Sequence, residues 1–360
     1  MSFSDVIGQH RAKGILYKAI EHDRVPHAYL FSGTEGVGKE ALAIEFAKML
    51  FCTGEGERPC DLCSSCKRIR SFQHPDFMFI FPSSAKNVDE ERAILDSVNK
   101  NPYCRSRPWA TPTIGIEQVR EIRHAATLKP LEGRRVVILV EAEKMTIPAA
   151  NSLLKILEEP PETTHLILTA SQVSGMLPTI LSRCQEIRFG PLPDSEIEWA
   201  LVEKNGIEPE RARLISRISQ GSYSRSQEWL DKGFKERRDN VIEFLRMCLK
   251  DQGAQIEFVE RLLRQYDKKV VKDILNLTLG WFRDALFLSE SAGEFESNLV
   301  NVDQFETVSK FVGAFESIDY DTAFAEIENS IRLIERNVQI NLILFVLMIK
   351  LRKVLKLKGR

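Results

Sequence analysis

Gly33-Thr34-Glu35-Gly36-Val37-Gly38-Lys39-Glu40 is the stretch from which the rest of this chain can be read. Through Lys39 it follows G-x-x-x-x-G-K-[ST], a loop whose backbone N–H groups cradle phosphates while its Lys reaches the β/γ-phosphates. The last position departs from the pattern. Glu40 stands where Ser or Thr supplies a Mg²⁺ ligand, and its carboxylate brings negative charge towards the phosphates. The surroundings suit the motif. His27-Ala28-Tyr29-Leu30-Phe31 reads as a buried strand entering a turn, and Glu40 to Leu50 is rich in helix formers. A strand, a glycine loop and a helix N-terminus place orphan N–H groups and a helix dipole on one anion site. The alternative is a glycine-rich turn without a ligand.

Further apolar runs at Phe77–Phe81, Val136–Val140, Leu166–Thr169 and Gln185–Phe189 read as strands of the same sheet. Helical patterns at Glu117–Thr127 and Ile147–Glu158 separate them, so the fold expected is α/β with a largely parallel five-stranded sheet covered on both faces. Asn99 to Pro112 holds three prolines and no periodicity and reads as a loop; Ser83 to Pro112 carries no motif. Val136–Val140 is also where an ATPase carries its second signature, an apolar run ending in Asp-Glu. Here the run continues Glu141-Ala142-Glu143. Glu141 can serve at the metal side, but Ala142 cannot activate water, and losing a general base costs ~10²–10⁴ in rate. On a strand-like backbone Glu143 would face the other way. Glu40 and Ala142 together predict a degenerate ATPase, not an enzyme as an isolated subunit.

Cys52, Cys60, Cys63 and Cys66 have the spacing C-x7-C-x2-C-x2-C. In a reducing compartment this suits tetrahedral Zn²⁺, and four thiolates leave no position open for a substrate. The expected site is a structural zinc in an insertion at about 52–66. Cys104, Cys184 and Cys248 read as ordinary cysteines.

Gly190-Pro191-Leu192-Pro193 ends the strand pattern. Asp194 then opens a helix as N-cap, with Ile197, Ala200 and Leu201 on one face. The expected division is 1–190 for the α/β domain, 191–233 for a small helical domain and 234–360 for an all-α domain. Within the last, Leu245, Leu249, Phe258, Leu262, Ile274, Leu277, Trp281 and Leu286 are the apolar positions. Val346 to Arg360 mixes Leu and Val with six basic residues, as a solvated face on a terminal packing helix does.

The 360 residues suffice for two or three domains, and 43% hydrophobic with 28% charged content describes a globular protein. A formal charge of −1 argues against coating nucleic acid through bulk electrostatics. Met1-Ser2-Phe3-Ser4-Asp5 has neither a basic nor an apolar leader region, and Ile340–Leu351 is too short to span a bilayer, so a cytoplasmic protein is expected.

Leu181-Ser182-Arg183-Cys184 follows the helix-like Met176–Ile180. Arg183 alone is either a surface ion-pair residue or an arginine presented to a neighbour's nucleotide. Asn151-Ser152-Leu153-Leu154-Lys155-Ile156-Leu157-Glu158-Glu159-Pro160-Pro161, followed by Leu177-Pro178-Thr179-Ile180-Leu181-Ser182-Arg183-Cys184, resembles the bacterial sliding-clamp loader family. Phe3–Gln9, His27–Phe31 and the four-cysteine insertion fit as well. The resemblance is dense from residue 3 to about 190 and rests beyond that on the order of helical domains. It implies an AAA+ P-loop domain, a helical lid and an all-α C-terminal collar that holds a heteropentamer together with motor (gamma/tau) and delta subunits of DNA polymerase III. Sliding clamp and primed template DNA are the further partners it implies, with no membrane. Arg183 then acts in trans as an arginine finger on ATP/Mg²⁺ in a motor subunit, a contribution worth ~10³–10⁵ in rate. The chain departs from the motor pattern at Glu40, Glu141 and Ala142. It keeps Gly33, Gly36, Gly38 and Lys39, so its own nucleotide binding is expected to be weak or absent. The motors' lid arginine falls on Ser224, with Arg225 one step later, a turn of ~100° on a helix.

Two other readings compete. One is a competent motor subunit, supported by Lys39 and Glu141. The other is a zinc-ribbon nucleic-acid module using Lys67, Arg68 and Arg70.

Overall fold

The computed structural model describes residues 3–84, 88–109, 111–230, 233–290, 299–336 and 338–357. Met1, Ser2, Lys358 and Arg360, along with residues 85–87 and Ala110 of the Ser83–Pro112 stretch and residues 231–232 of the 191–233 division, lie outside them. The chain divides into two compact units, residues 1–227 and 228–360.

In the first unit, α1 (His10–Glu21), β1 (Ala28–Ser32) and α2 (Lys39–Phe51) lead into the cysteine insertion, which ends in α3 (Ser64–Arg70). There follow β2 (Phe77–Ile80), α4 (Val88–Lys100), α5 (Ile116–Thr127), β3 (Arg135–Leu139), α6 (Ile147–Glu158), β4 (Thr164–Ala170), α7 (Pro178–Leu181) and β5 (Gln185–Arg188). All five strands pair in parallel in the order β2-β3-β4-β1-β5. The five expected strands are therefore present, in the α/β class with the parallel sheet read from the sequence. Every residue of β1 and β3 is buried, as a sheet covered on both faces requires. One layer packs Leu30, Val137 and Leu168 against Val119 and Ile122 of α5 and Leu153 and Leu157 of α6. On the β1 side facing α2, Tyr29 meets Phe46 edge-on at 5.7 Å, and Phe31 lies 5.1 Å from Phe189. α2 is apolar nearly all round and runs through the interior, so its Glu45 and Lys48 are buried as a 2.7 Å ion pair. β5 buries only Ile187, the composition of an edge strand.

α8 (Asp194–Asn205), α9 (Pro209–Ile218) and α10 (Tyr223–Glu228) complete the helical segment after the sheet. Ile197, Ala200 and Leu201 are buried as expected, but Asp194 is not the cap. Pro193 holds the cap position and Asp194 is the first helical residue, because proline's fixed φ pre-sets the turn just before the helix. α4 was not anticipated, and its last two residues, Asn99 and Lys100, fall in the stretch read as a loop. Ile94 and Val98 are its buried positions, and its acidic first turn, Asp89-Glu90-Glu91, complements the helix dipole.

The second unit contains α11 (Phe234–Cys248), α12 (Gln252–Gln265), α13 (Lys268–Glu290), α14 (Phe305–Ala314), α15 (Tyr320–Glu335) and α16 (Ile340–Val354). α13 buries Ile274, Leu277, Trp281 and Phe282, and α16 buries Leu344, Leu347, Met348 and Leu351. Asp284 is buried and accepts N–H bonds from Val300 at 2.9 Å and Asn301 at 2.8 Å. Among its described residues the unit is helical apart from a small antiparallel ribbon, β6 (Phe315–Ile318) with β7 (Leu355–Leu357), too short to leave a period-2 signal. Among the described residues no helix is long and apolar enough to cross a membrane.

Candidate functional site

The C-terminal ends of β1, β3 and β4 converge, which is where parallel sheets build sites. From β1 comes the loop Gly33–Gly38, from β3 Glu141, and from β4 Ser171. Lys39 sits at the first turn of α2, 7% exposed, and its Nζ donates to Gly33 O at 2.6 Å, Thr34 O at 2.7 Å and Ser171 Oγ at 3.2 Å. All three ammonium donors are engaged by the protein. Burial pushes the Lys39 pKa down to about 8, against the opposing pull of Glu40, Glu143 and Glu141.

Glu40 faces the Nε of Arg105 at 3.3 Å. The guanidinium of Arg105 also donates to Glu141 Oε1 at 2.7 Å, and Arg107 Nη2 reaches the same oxygen at 2.6 Å. Lys144 Nζ lies 2.7 Å from Glu141 Oε2, and Arg107 also pairs with Glu35. Burial works to raise the Glu141 carboxyl, but Arg107, Arg105 and Lys144 outweigh it and hold it below the ordinary carboxylate range. Burial raises the Glu40 carboxyl, and Arg105 offsets only part of that. The cations Lys39, Arg105, Arg107 and Lys144 are thus met by the carboxylates Glu35, Glu40, Glu141 and Glu143. A triphosphate entering this cluster would find its positive charge already neutralised.

Ala142 is buried at the end of β3 and presents no polar atom. Glu143 does not face away, contrary to the strand-based expectation. The extended backbone stops at Leu139, Glu141 has a left-handed φ of 53°, and Ala142–Lys144 form a 3₁₀ turn. That turn brings the Glu143 carboxylate to Ser171 N at 2.8 Å, on the same residue whose Oγ meets Lys39.

The space left beside the loop is about 30 Å³, lined by Gly36, Lys39, Glu40, Tyr103, Arg105 and Glu141 among others. Sites for drug-sized ligands run to roughly 300–1,000 Å³. Tyr103 and Ser224 do much of the filling. A Cβ on Gly38, at φ 101°, would lie 3.0 Å from the Tyr103 ring, and one on Gly36 would overlap Ser222 Oγ. Ser224 donates its hydroxyl to Tyr103 O, whereas Arg225 turns aside to Gln220 Oε1 at 3.0 Å. Tyr103, Arg105 and Arg107 lie in the proline-bearing loop that carries no motif. The available signal was charge complementarity: two arginines in one loop, two unexpected glutamates at the phosphate site.

Arg183 is not among the residues lining that space. It lies just past α7, where its guanidinium donates to Thr179 O at 3.0 Å and pairs with Glu158 at 3.0 Å, with the side chain 35% exposed.

The four cysteines do come together, their Sγ atoms all within 4.8 Å of one another. Cys52 closes α2, Cys63 caps α3 by accepting from Cys66 N, and Cys66 lies in its first turn. Zn–S bonds of ~2.3 Å place tetrahedral sulfurs about 3.8 Å apart, so the donor set and its spacing fit a structural zinc ion. The insertion is anchored by Asp61, which pairs with buried Lys48, and by Glu132, which accepts from Ser65 at 2.8 Å and pairs with Arg68. Arg68 is therefore engaged within the fold, which weakens the nucleic-acid reading of this insertion.

The family described as "DNA polymerase III, delta subunit" matches residues 8–193, more than half of the chain. A DNA polymerase III subunit delta' of Bacillus subtilis is 31% identical over 84% of this chain and 83% of its own length. The chain belongs to the DNA polymerase III delta' family. The delta' subunit of Pseudomonas aeruginosa is 33% identical over 65% of this chain and 65% of its own length. A tau/gamma subunit of Haemophilus influenzae is 30% identical over 69% of this chain but only 34% of its own length.

Proposed function

We propose that this chain is a non-hydrolysing subunit of the sliding-clamp loader, a fixed element that lends Arg183 to a neighbouring ATPase subunit while the clamp is loaded onto primed DNA. The observation that carries this is the occupied phosphate site. Glu40 and Glu141 are bound by Arg105 and Arg107 where a nucleotide's phosphates and metal would lie, and Ala142 leaves no base to activate water. Arg183 is held by a half-exposed ion pair and one carbonyl, and a surface pair of that kind is worth ~0–1 kcal/mol. Exchange of Glu158 for the oxygens of a transferring phosphoryl group is therefore inexpensive, and a planar guanidinium can bridge two of them.

On this reading residues 1–190 form the AAA+ domain, 191–233 its lid and 234–360 a collar joining gamma/tau and delta subunits in a heteropentamer in the cytoplasm. Zinc at Cys52, Cys60, Cys63 and Cys66 holds the insertion. ATP and Mg²⁺ belong to the neighbour's site, and DNA contacts run through the assembly to phosphates. The second reading, a competent gamma/tau-like motor, draws on the tau/gamma similarity and Lys39.

Steady-state ATP hydrolysis by the reconstituted loader with clamp and primed DNA separates the two. Wild type, Arg183→Ala and the isolated subunit are compared. A silent isolated subunit and a loss of about tenfold or more in one site's share of turnover are expected. Turnover by the isolated chain would establish the motor reading instead. A silent chain with no effect of Arg183→Ala would leave a purely architectural subunit.

A further inference from the structure

The loop between α4 and α5 carries no recognised motif, yet it touches the phosphate loop, the end of β3 and the start of α10. The Tyr103 hydroxyl accepts from Ile7 N at 2.8 Å. Its ring packs over Gly38 and meets Tyr223 edge-on at 5.0 Å, and its carbonyl accepts from Ser224. Arg105, its side chain 3% exposed, bridges Glu40 and Glu141 with its guanidinium 5.6 Å from the Phe81 ring centre. Arg107 bridges Glu141 and Glu35. On the opposite side the phosphate loop itself reaches the helical segment, since Gly36 O accepts from Tyr223 N at 3.0 Å and Ser224 N at 3.4 Å.

These contacts link four pieces: the N-terminal arm at Ile7, the loop Glu35–Glu40, the end of β3 and the start of α10. A bound nucleotide could link the same loop and helix only by supplying negative charge to Lys39 and an aromatic or polar surface to Ser224. Here Gly33 O, Thr34 O and Ser171 Oγ occupy the Lys39 ammonium, Glu40, Glu143 and Glu141 supply negative charge around it, and Tyr103 supplies the surface. The two residues that spoil the ATPase motifs, Glu40 and Glu141, are thereby the anionic partners of the loop's arginines. Removing one member leaves buried charge less well compensated, so the set is mutually dependent.

We propose that Tyr103, Arg105 and Arg107 are a built-in occupant of the phosphate-loop site, with Tyr103 fastening the start of α10 to the α/β domain in an arrangement that nucleotide neither creates nor releases. The proposal rests on the non-hydrolysing reading and adds a mechanism for its fixed geometry.

Hydrogen exchange and thermal melting of the full chain test it, with and without MgATP or MgADP at ~1 mM. Wild type should show no change in either measurement on adding nucleotide. In Arg105→Ala/Arg107→Ala the amides of 35–40 and 222–226 should exchange faster together, by about tenfold, while those of α13 stay unchanged. Nucleotide-dependent protection of residues 33–40 in wild type, or unchanged exchange at 222–226 in the variant, would overturn the proposal. If the double variant does not fold, Arg107→Ala is read by the same two criteria, since that side chain is 37% exposed. The finger reading is judged by Arg183→Ala in the assembled loader, so either idea can fail without the other.

Discussion

Arg105 and Glu141 meet at 2.7 Å beside the phosphate loop, both nearly excluded from solvent. The pair contributes to the acid response of the first unit. Unfolded, the Glu141 carboxyl titrates near 4.5; folded, it lies lower, so the unfolded chain takes up the proton first and falling pH favours unfolding. Its stabilisation is complete above pH 4.5 and is lost as pH falls through the folded value. Glu141→Gln should cost ~3 kcal/mol at neutral pH and flatten this limb. Glu40 acts in the opposite sense, because its folded value is raised, so Glu40→Gln should steepen acid unfolding. Urea titrations across pH 3–7 at ~25 °C measure both slopes.

Arg183→Ala should leave the melting temperature of the isolated chain nearly unchanged. The Glu158 pair is half exposed and contributes at most ~1 kcal/mol. Arg183→Lys should be as silent in stability yet lose most of the turnover effect, since an ammonium cannot bridge two oxygens in a plane. A large stability loss in either variant would point to a structural role for this arginine.

Purified protein should carry close to one zinc ion per chain, measured by release into a chromophoric chelator. Cys63→Ser should lower that content and destabilise the first unit by more than ~2 kcal/mol, because the metal holds the ends of α2 and α3 together. Full stability in a metal-free preparation would argue against the structural role.

Phe46→Ala should cost ~3–5 kcal/mol, since the ring is fully buried against Tyr29 and no neighbour can fill its space. In the second unit, Asp284→Ala strands the N–H groups of Val300 and Asn301 and should cost ~2–4 kcal/mol. Calorimetry of the full chain reads both. If the units melt separately, each variant should shift only the transition of its own unit.

Much of the first unit was legible because its signals are local. β1, β3 and β4 are short apolar runs between turns, the glycine loop follows the first of them, and four cysteines at fixed spacing bracket one insertion. Less was legible where a signal needed a partner. Asp194 looked like a cap, but Pro193 already set the turn. Glu143 looked turned away because a strand was assumed where the backbone has already left the sheet after Leu139.

The sequence by itself determined the parallel sheet, the phosphate loop at the end of β1 and the cysteine cluster, since each rests on a period or spacing within a few residues. Only the tertiary structure decided what fills the phosphate site. Arg105 and Glu40 are separated by 65 positions, and Ser224 and Tyr103 by 121. Charge complementarity over such distances has no period along the chain. It becomes an interaction only when the ends of β1 and β3 and the start of α10 are brought together, and there burial makes each unpaired charge costly enough to fix the arrangement.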